Sequence, residues 1–153
     1  MRLQKVIEVW KEVHKEITKM KSATMILIVV AMSLFLCACG GNVKNVKIIE
    51  KESEKYSSEE INSAIEIIIK EFKENWKGCK LNKICYAGDE SLDAYQDWAD
   101  RNNADEVIVL LSSFDVDSSG GDGSLEANST YDDWNWILVR NKGGKWKYVD
   151  HGY

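Results

Sequence analysis

Residues 57–78 read SSEEINSAIEIIIKEFKENWKG, and this stretch predicts the element on which the rest of the fold is built. Ser57 and Glu60 have the spacing of a capping box, in which each side chain accepts a backbone N–H at the start of a helix. Apolar residues then recur on one helical face: Ile61, Ile65, Ile68, Phe72 and Trp76. Gly78 suits the position just after a helix. We therefore predict a helix over residues 58–77 whose apolar face is buried in the core.

The chain after this helix contains further candidate elements separated by turn residues. The pattern predicts a short strand over residues 80–87 and a second helix from Asp89 or Ser91 to Asn102. Three more strands are predicted by apolar runs and alternation: Glu106 to Phe114, Tyr131 to Arg140 and Lys145 to His151. This order predicts an α+β domain in which two helices pack on an antiparallel sheet.

Upstream of the domain, Met20 to Asn42 reads MKSATMILIVVAMSLFLCACGGN. Lysines flank the start of an uncharged run of 16 residues, Ala23 to Ala38, which is nearer in length to a signal-peptide core than to a spanning helix. The run ends in Leu36-Cys37-Ala38-Cys39-Gly40, which resembles the lipobox of bacterial lipoproteins. The resemblance implies cleavage before Cys39 and a thioether-linked diacylglycerol on it. The mature chain would then be anchored on the outer face of the cytoplasmic membrane.

Two alternatives to the lipoprotein remain at this point: an uncleaved single-pass anchor and a plain cleaved signal. Both also place the later residues outside the cytoplasm, because the lysines lie on the N-terminal flank. Residues 1–19 form either a long amphipathic leader or a segment upstream of a true start at Met20. We therefore divide the chain into a leader and signal peptide over 1–38, a tether over 39–56 and a globular domain over 57–153. The tether contains an apolar patch at Val46, Ile48 and Ile49, which is a candidate short strand.

The net charge of −5 hides an uneven distribution. Residues 1–38 carry +3, so residues 39–153 carry −8. Between Asp89 and Asp133 there are 13 carboxylates and one basic residue, Arg101. Such an acidic surface argues against nucleic acid as a partner.

The C-terminal part carries a second resemblance. Trp134 to Arg140 reads WNWILVR, and it is followed by Gly144-Lys145-Trp146 and by Asp150-His151-Gly152-Tyr153. These residues resemble a group of uncharacterised Gram-positive lipoproteins that carry a domain of unknown function. The order of elements over residues 57–153 also resembles the nuclear transport factor 2-like superfamily, which implies helices packed on a curved, cone-like sheet. That superfamily contains both enzymes and non-catalytic modules, so the resemblance implies no reaction.

No catalytic motif accompanies these patterns. The sequence has no nucleophile elbow, no zinc-protease motif and no phosphate-binding glycine loop. His151 is the only histidine after residue 38, and no catalytic role is predicted for it. Two classes of function remain: a binding or accessory module for a protein or small molecule, which we favour, and an enzyme that uses the interior of the cone. Filling of the cone by Trp98, Trp134 and Trp146 would favour the first, and an enclosed pocket the second. No cofactor is predicted.

Cys79 and Cys85 remain after processing, and an isolated pair outside the cytoplasm is a candidate disulfide. The pair lies across a predicted helix end and strand. An extended chain between the two residues would separate their Cα atoms beyond bonding reach.

Asp115 to Glu126 reads DVDSSGGDGSLE, which fits the pattern of a calcium loop with Asp115, Asp117, Ser119 and Glu126 as ligands. The usual flanking helices are missing, because a strand is predicted on each side. We therefore predict a mobile hairpin loop and no specific metal site.

Overall fold

The helix predicted to begin at residue 58 is present in the computed structural model, which describes Glu8, Lys11, Glu12 and residues 40–153. Helix α1 spans Ser58–Asn75. Its capping box is complete: the Ser57 hydroxyl accepts the Glu60 N–H at 3.3 Å, and the Glu60 carboxylate accepts the Ser57 N–H at 2.9 Å. The residues of the predicted apolar face are buried from Ile61 to Phe72, so the helical prediction is confirmed.

Five strands form one sheet in the order β1-β2-β3-β4-β5. They are Lys47–Ile49, Cys79–Tyr86, Glu106–Val116, Thr130–Arg140 and Lys147–Gly152. Strands β2 to β5 pair antiparallel, but β1 pairs parallel with β2. The α+β class is therefore confirmed, whereas the sheet is mixed and not antiparallel throughout. The parallel pair arises because α1 lies between β1 and β2 and carries the chain back to the same end of the sheet.

The sheet is covered on both faces. Helix α1 packs on one face over the larger core, which contains Ile108, Leu110, Trp136 and Leu138. The other face carries a smaller cluster around Val107, Ile137 and Val139. The second predicted helix covers it as two pieces, a 3₁₀-helix over Asp89–Tyr95 and α2 over Gln96–Arg101. No side chain caps the start of either piece, which removes one source of stability for a continuous α-helix.

Residues 40–56, the described part of the tether predicted over 39–56, pack along the domain, and the apolar patch in it forms β1, as the candidate strand predicted. The Gly41 N–H donates to the Phe72 carbonyl at 3.1 Å, and the Asn42 N–H donates to the Cys79 carbonyl at 2.8 Å. Farther along, Tyr56 is buried, and its hydroxyl donates to the Val107 carbonyl at 2.9 Å. Three apolar side chains of the segment contribute to the core: Val43, Val46 and Tyr56.

Asp89 fastens the end of this segment to β2. Its carboxylate accepts the Ser53 hydroxyl at 2.6 Å, the Glu54 N–H at 2.8 Å and the Tyr86 hydroxyl at 2.8 Å. These donors hold the pKa of Asp89 below its usual value, with Ser53 the largest contribution.

The predicted signal peptide and the lipidation residue Cys39 lie outside the described residues. Within the described part of the chain, no helix has both the length and the apolar character needed to cross a membrane.

Candidate functional site

A pocket of about 370 Å³ lies where α1 ends against the loop between β3 and β4 and against β5. It is lined by Glu71, Asn75, Trp76, Lys77, Cys79, Gly121, Asp122, Ser124, Leu125, Trp134 and His151. We call Trp76, Trp134 and His151 the aromatic floor. The polar rim consists of Glu71, Asn75, Lys77, Asp122 and Ser124.

The aromatic floor is held by the end of helix α1. Trp76 is the C-cap residue, and its N–H donates to the Phe72 carbonyl at 3.1 Å. Its ring stacks on that of Phe72 at 5.3 Å and lies 5.1 Å from the His151 ring. The rings of Trp134 and His151 stack at 5.7 Å. The end of α1, strand β4 and strand β5 therefore each contribute one ring to the aromatic floor.

Two neighbouring tryptophans of β4 differ in their hydrogen bonding. Trp136 is fully buried, and its Nε1–H donates to the Ser112 hydroxyl at 2.8 Å. Trp134 Nε1 is also buried, but it has no hydrogen-bond partner among the described residues. Its ring stands nearly perpendicular to those of Trp76, Phe114 and Tyr131, so the site is built on aromatic contacts.

His151 reaches the pocket through the pairing of β5 with β4. Its Cα lies opposite that of Trp136, and its Nδ1 is hydrogen-bonded to the Tyr148 hydroxyl. Burial raises the pKa of Tyr148, and the nearby Glu71 and Asp150 raise it further. The sequence assigned His151 no role; the structure brings its exposed ring against Trp76 and Trp134. Its only sequence signal was its place on a strand predicted beside the tryptophan-rich one.

The polar rim carries two acidic side chains and one basic side chain. Asn75 donates to the Glu71 carboxylate at 2.9 Å, and the Ser124 N–H donates to the Asp122 carboxylate at 3.0 Å. Lys77 forms no ion pair within residues 40–153. The rim thus offers an excess of hydrogen-bond acceptors and negative charge to whatever occupies the pocket.

Two groups of the pocket have pKa values that move away from neutrality. Burial raises the pKa of the Cys79 thiol to about 11, with further contributions from Asp117 and Asp122. Hydrogen bonds from Ser124 lower the pKa of Asp122. Cys79 therefore stays a protonated thiol, which is a poor nucleophile, and Asp122 stays ionised.

The structure contradicts a disulfide between Cys79 and Cys85. Neither thiol is bonded to another cysteine within residues 40–153. The two residues lie at opposite ends of β2, and six residues of extended strand span roughly 20 Å. That separation far exceeds the Cα distance that a disulfide can bridge.

Two carboxylates of the acidic loop, those of Asp115 and Asp117, already accept hydrogen bonds from nearby residues. Asp117 accepts the Ser119 N–H at 2.7 Å, and Asp115 accepts the Thr130 hydroxyl at 2.9 Å. The Glu126 backbone N–H donates to the Tyr131 hydroxyl at 3.1 Å. Among the described residues, no group of three or more His, Cys, Asp or Glu side chains is arranged to hold a metal ion.

A second cluster, at the opposite end of α1, was not singled out from the sequence. Arg140 is buried, forms ion pairs with Glu60 and Glu106, and lies 4.0 Å over the Trp146 ring. Trp146 Nε1 donates to the Glu60 carbonyl at 3.1 Å. We call these residues, together with Tyr56, the arginine cluster. The only sequence signal for this cluster was the position of Arg140 at the end of a strand with alternating apolar residues.

The tryptophans named as cone-filling residues separate in the structure. Trp146 belongs to the large core, and Trp134 packs against it while lining the pocket. Trp98 packs in the smaller cluster on the other face of the sheet.

Comparison of the chain with known protein families, with curated proteins and with solved structures found no match.

Proposed function

We propose that this chain is a lipid-anchored binding module that captures a small ligand in the pocket at the end of α1. The observation that carries the proposal is the pocket itself: about 370 Å³ of space over three aromatic rings, with a rim of polar side chains. Pockets that are aromatic in their floor and have a few polar groups at their edge are the usual sites for small molecules.

A binding role is favoured over catalysis by the state of two titratable groups of the pocket, Cys79 and Asp122. General acid–base chemistry works best with a group whose pKa lies near the operating pH. The pKa of Cys79 is about 11, and the pKa of Asp122 is held low by Ser124. Neither group is set to exchange a proton at neutral pH.

Anchoring is supported by the sequence around Cys39. A lysine-flanked apolar run of signal-peptide length leads into Leu36-Cys37-Ala38-Cys39. In this proposal Cys39 carries the lipid, and residues 40–153 face the exterior of the cytoplasmic membrane. The acidic charge of that part suits a binding module for a small molecule or protein better than one for nucleic acid.

For the finer architecture we propose a variant of the cone-like fold of the nuclear transport factor 2-like superfamily. Packing of α1 across one face of the sheet over buried Trp136 and Leu138 supports this. The parallel edge strand β1 and the sequential strand order are the features by which this chain would differ from a purely antiparallel cone.

An enzyme remains the second candidate because of one contact. His151 lies on the pocket floor and is hydrogen-bonded to Tyr148, so a positioned imidazole faces the space where a ligand would sit. In this alternative His151 acts as the general base.

The test begins with intact-mass analysis of the protein purified from membranes. We expect a mature chain that starts at a diacylated Cys39, and we expect Cys39→Ser to abolish acylation while Cys37→Ser, the matched control, leaves it intact. An unlipidated wild-type protein would reject the anchor. Ligand screening by the indole N–H resonances of the same protein then tests the pocket: ligands should move the Trp134 signal and not that of Trp98. Turnover of a bound ligand that His151→Ala abolishes would favour the enzyme.

A further inference from the structure

Gly40, the residue after the predicted anchor Cys39, already packs on the domain beside the pocket. Gly40 lies against the last turn of α1, where an added Cβ would fall 1.6 Å from the Lys73 carbonyl oxygen. An added Cβ at Gly41 would fall 2.4 Å from the Phe72 carbonyl oxygen. Contacts this close are open only to glycine, so the Gly-Gly pair after Cys39 is required for the chain to lie on the helix.

The same helical turn forms one wall of the pocket. Glu71 and Asn75 line the pocket and flank the turn that Gly40 and Gly41 touch. The pocket and the residue that follows Cys39 therefore border the same last turns of α1, a helix roughly 10 Å in diameter. A diacylglycerol on Cys39 would keep the pocket close to the lipid headgroups, which occupy the outer several ångströms of each leaflet.

The charges of the pocket select the chemical class of ligand. Trp76 and Trp134 on the floor favour an organic cation where they present a ring face, because the electron-rich face of an indole attracts positive charge. Glu71 and Asp122 add negative charge at the rim and oppose an anion in the pocket. Lys77 on the same rim provides one positive group that can face a phosphate outside the pocket.

We propose that the pocket takes the ammonium group of a zwitterionic phospholipid headgroup presented at the membrane surface. This inference rests on the proposed function, since it requires both the anchor and the pocket. The ammonium group contacts the aromatic floor and the carboxylates of Glu71 and Asp122, while the headgroup phosphate lies toward Lys77. Because anchoring gives the pocket a high effective concentration of headgroups, a weak site is sufficient for occupancy.

The first arm of the test measures the ligand class in solution. The lipidated protein in a non-ionic detergent is titrated with choline and with 3,3-dimethylbutan-1-ol, its uncharged isostere, while the Trp134 indole resonance is followed. We expect choline to bind at least about tenfold more tightly than the isostere. Glu71→Gln should weaken choline binding severalfold, as should Asp122→Asn. Glu66→Gln, an exposed α1 position outside the pocket, should not change it. Equal binding of choline and its isostere would overturn the ligand class.

The second arm separates a lipid source from a free one. The protein is placed in nanodiscs of phosphatidylcholine or of phosphatidylglycerol. We expect the Trp134 resonance at its choline-bound position only in phosphatidylcholine. A Gly/Ser insertion of about 15 residues between Cys39 and Gly40, which spans roughly 20 Å, should return it toward the free position. The same insertion should leave the affinity for free choline unchanged.

An unchanged resonance after the insertion would overturn the membrane source. Absence of lipid on Cys39 by intact mass would instead reject the proposed function, and the choline titration would still report on the pocket by itself.

Discussion

The two ends of α1 carry similar residues in different states. The arginine cluster at its N-terminal end and the pocket at its C-terminal end each combine tryptophan rings with charged side chains. At the N-terminal end, Arg140 is 8% exposed and its charge is matched by Glu60 and Glu106. At the C-terminal end, the Trp134 Nε1–H has no acceptor among the described residues and His151 is exposed.

If the pocket binds a ligand as proposed, this difference separates the residues that stabilise the fold from those that recognise the ligand. A buried polar network whose members all have partners holds its elements in one arrangement, and removal of one member leaves a buried group unpaired. The arginine cluster joins α1 to β3, β4 and the Tyr56 segment in this way. In the pocket, Lys77 forms no ion pair and the Trp134 Nε1–H has no acceptor within residues 40–153, so a ligand could use these groups without breaking the contacts that hold the fold.

The largest effect is expected at the arginine cluster. Arg140→Met removes the charge that pairs with Glu60 and Glu106, and we expect the free energy of unfolding to fall by about 3–5 kcal/mol. Urea denaturation followed by circular dichroism measures it. The control is Arg101→Met, whose exposed pair with Asp97 should contribute below about 0.5 kcal/mol. Similar losses for the two variants would show that the cluster does not join the elements as described.

The second comparison is between two tryptophans two residues apart. Trp136→Phe leaves the buried Ser112 hydroxyl without its partner and should lower the free energy of unfolding by about 2–3 kcal/mol. Trp134→Phe removes an N–H that has no acceptor in the described part of the chain and should lower the free energy of unfolding by less than about 1 kcal/mol. The same unfolding assay checks both variants. A larger loss at residue 134 than at residue 136 would contradict the assignment of the pocket as the less essential end.

A smaller effect on the free energy of unfolding is expected when the pH is lowered. The pKa of Glu60 is lowered by the Ser57 N–H and then by Arg140, and that of Asp89 is lowered chiefly by Ser53. Because both are lower in the folded chain, their contribution is complete above the unfolded values near pH 4 and is lost as pH falls through the folded values. Urea midpoints measured between about pH 5 and pH 2 should decrease, and less steeply in Asp89→Asn. The exposed Asp93→Asn is the control; an Asp89→Asn profile identical to wild type would exclude this carboxylate.

The smallest effect is expected when calcium is added, because we expect the loop from Asp115 to Glu126 to bind it only weakly. The carboxylates of Asp115 and Asp117 are occupied by neighbouring hydroxyl and N–H groups, and loop closure alone does not arrange them around an ion. Calorimetric titration of the full-length protein should give a dissociation constant of about 1 mM or weaker. A micromolar constant that Asp117→Ala abolishes would move the functional centre from the pocket to this loop.

Local signals in the sequence were enough for most of the elements. The capping box and the apolar face predicted α1, and alternation predicted β4 to within a residue. The second helix was harder, because its first half is a 3₁₀-helix whose sequence differs little from that of an α-helix start. The patch at Val46, Ile48 and Ile49 indicated a short strand, but the packing of residues 40–56 on the domain was missed, because Val43 and Tyr56 are isolated apolar residues in a mostly charged segment.

The sequence by itself determined the α+β class and the positions of α1 and of strands β2 to β5, and it suggested the anchor at Cys39, because caps, periodicity and apolar run length act over a few neighbouring residues. Only the tertiary structure decided which side chains meet. His151 contacts Trp76, 75 positions earlier, and Arg140 pairs with Glu60, 80 positions earlier. Those contacts depend on strand register and on where α1 crosses the sheet, and no local pattern encodes either. The pocket and the arginine cluster are consequences of that packing.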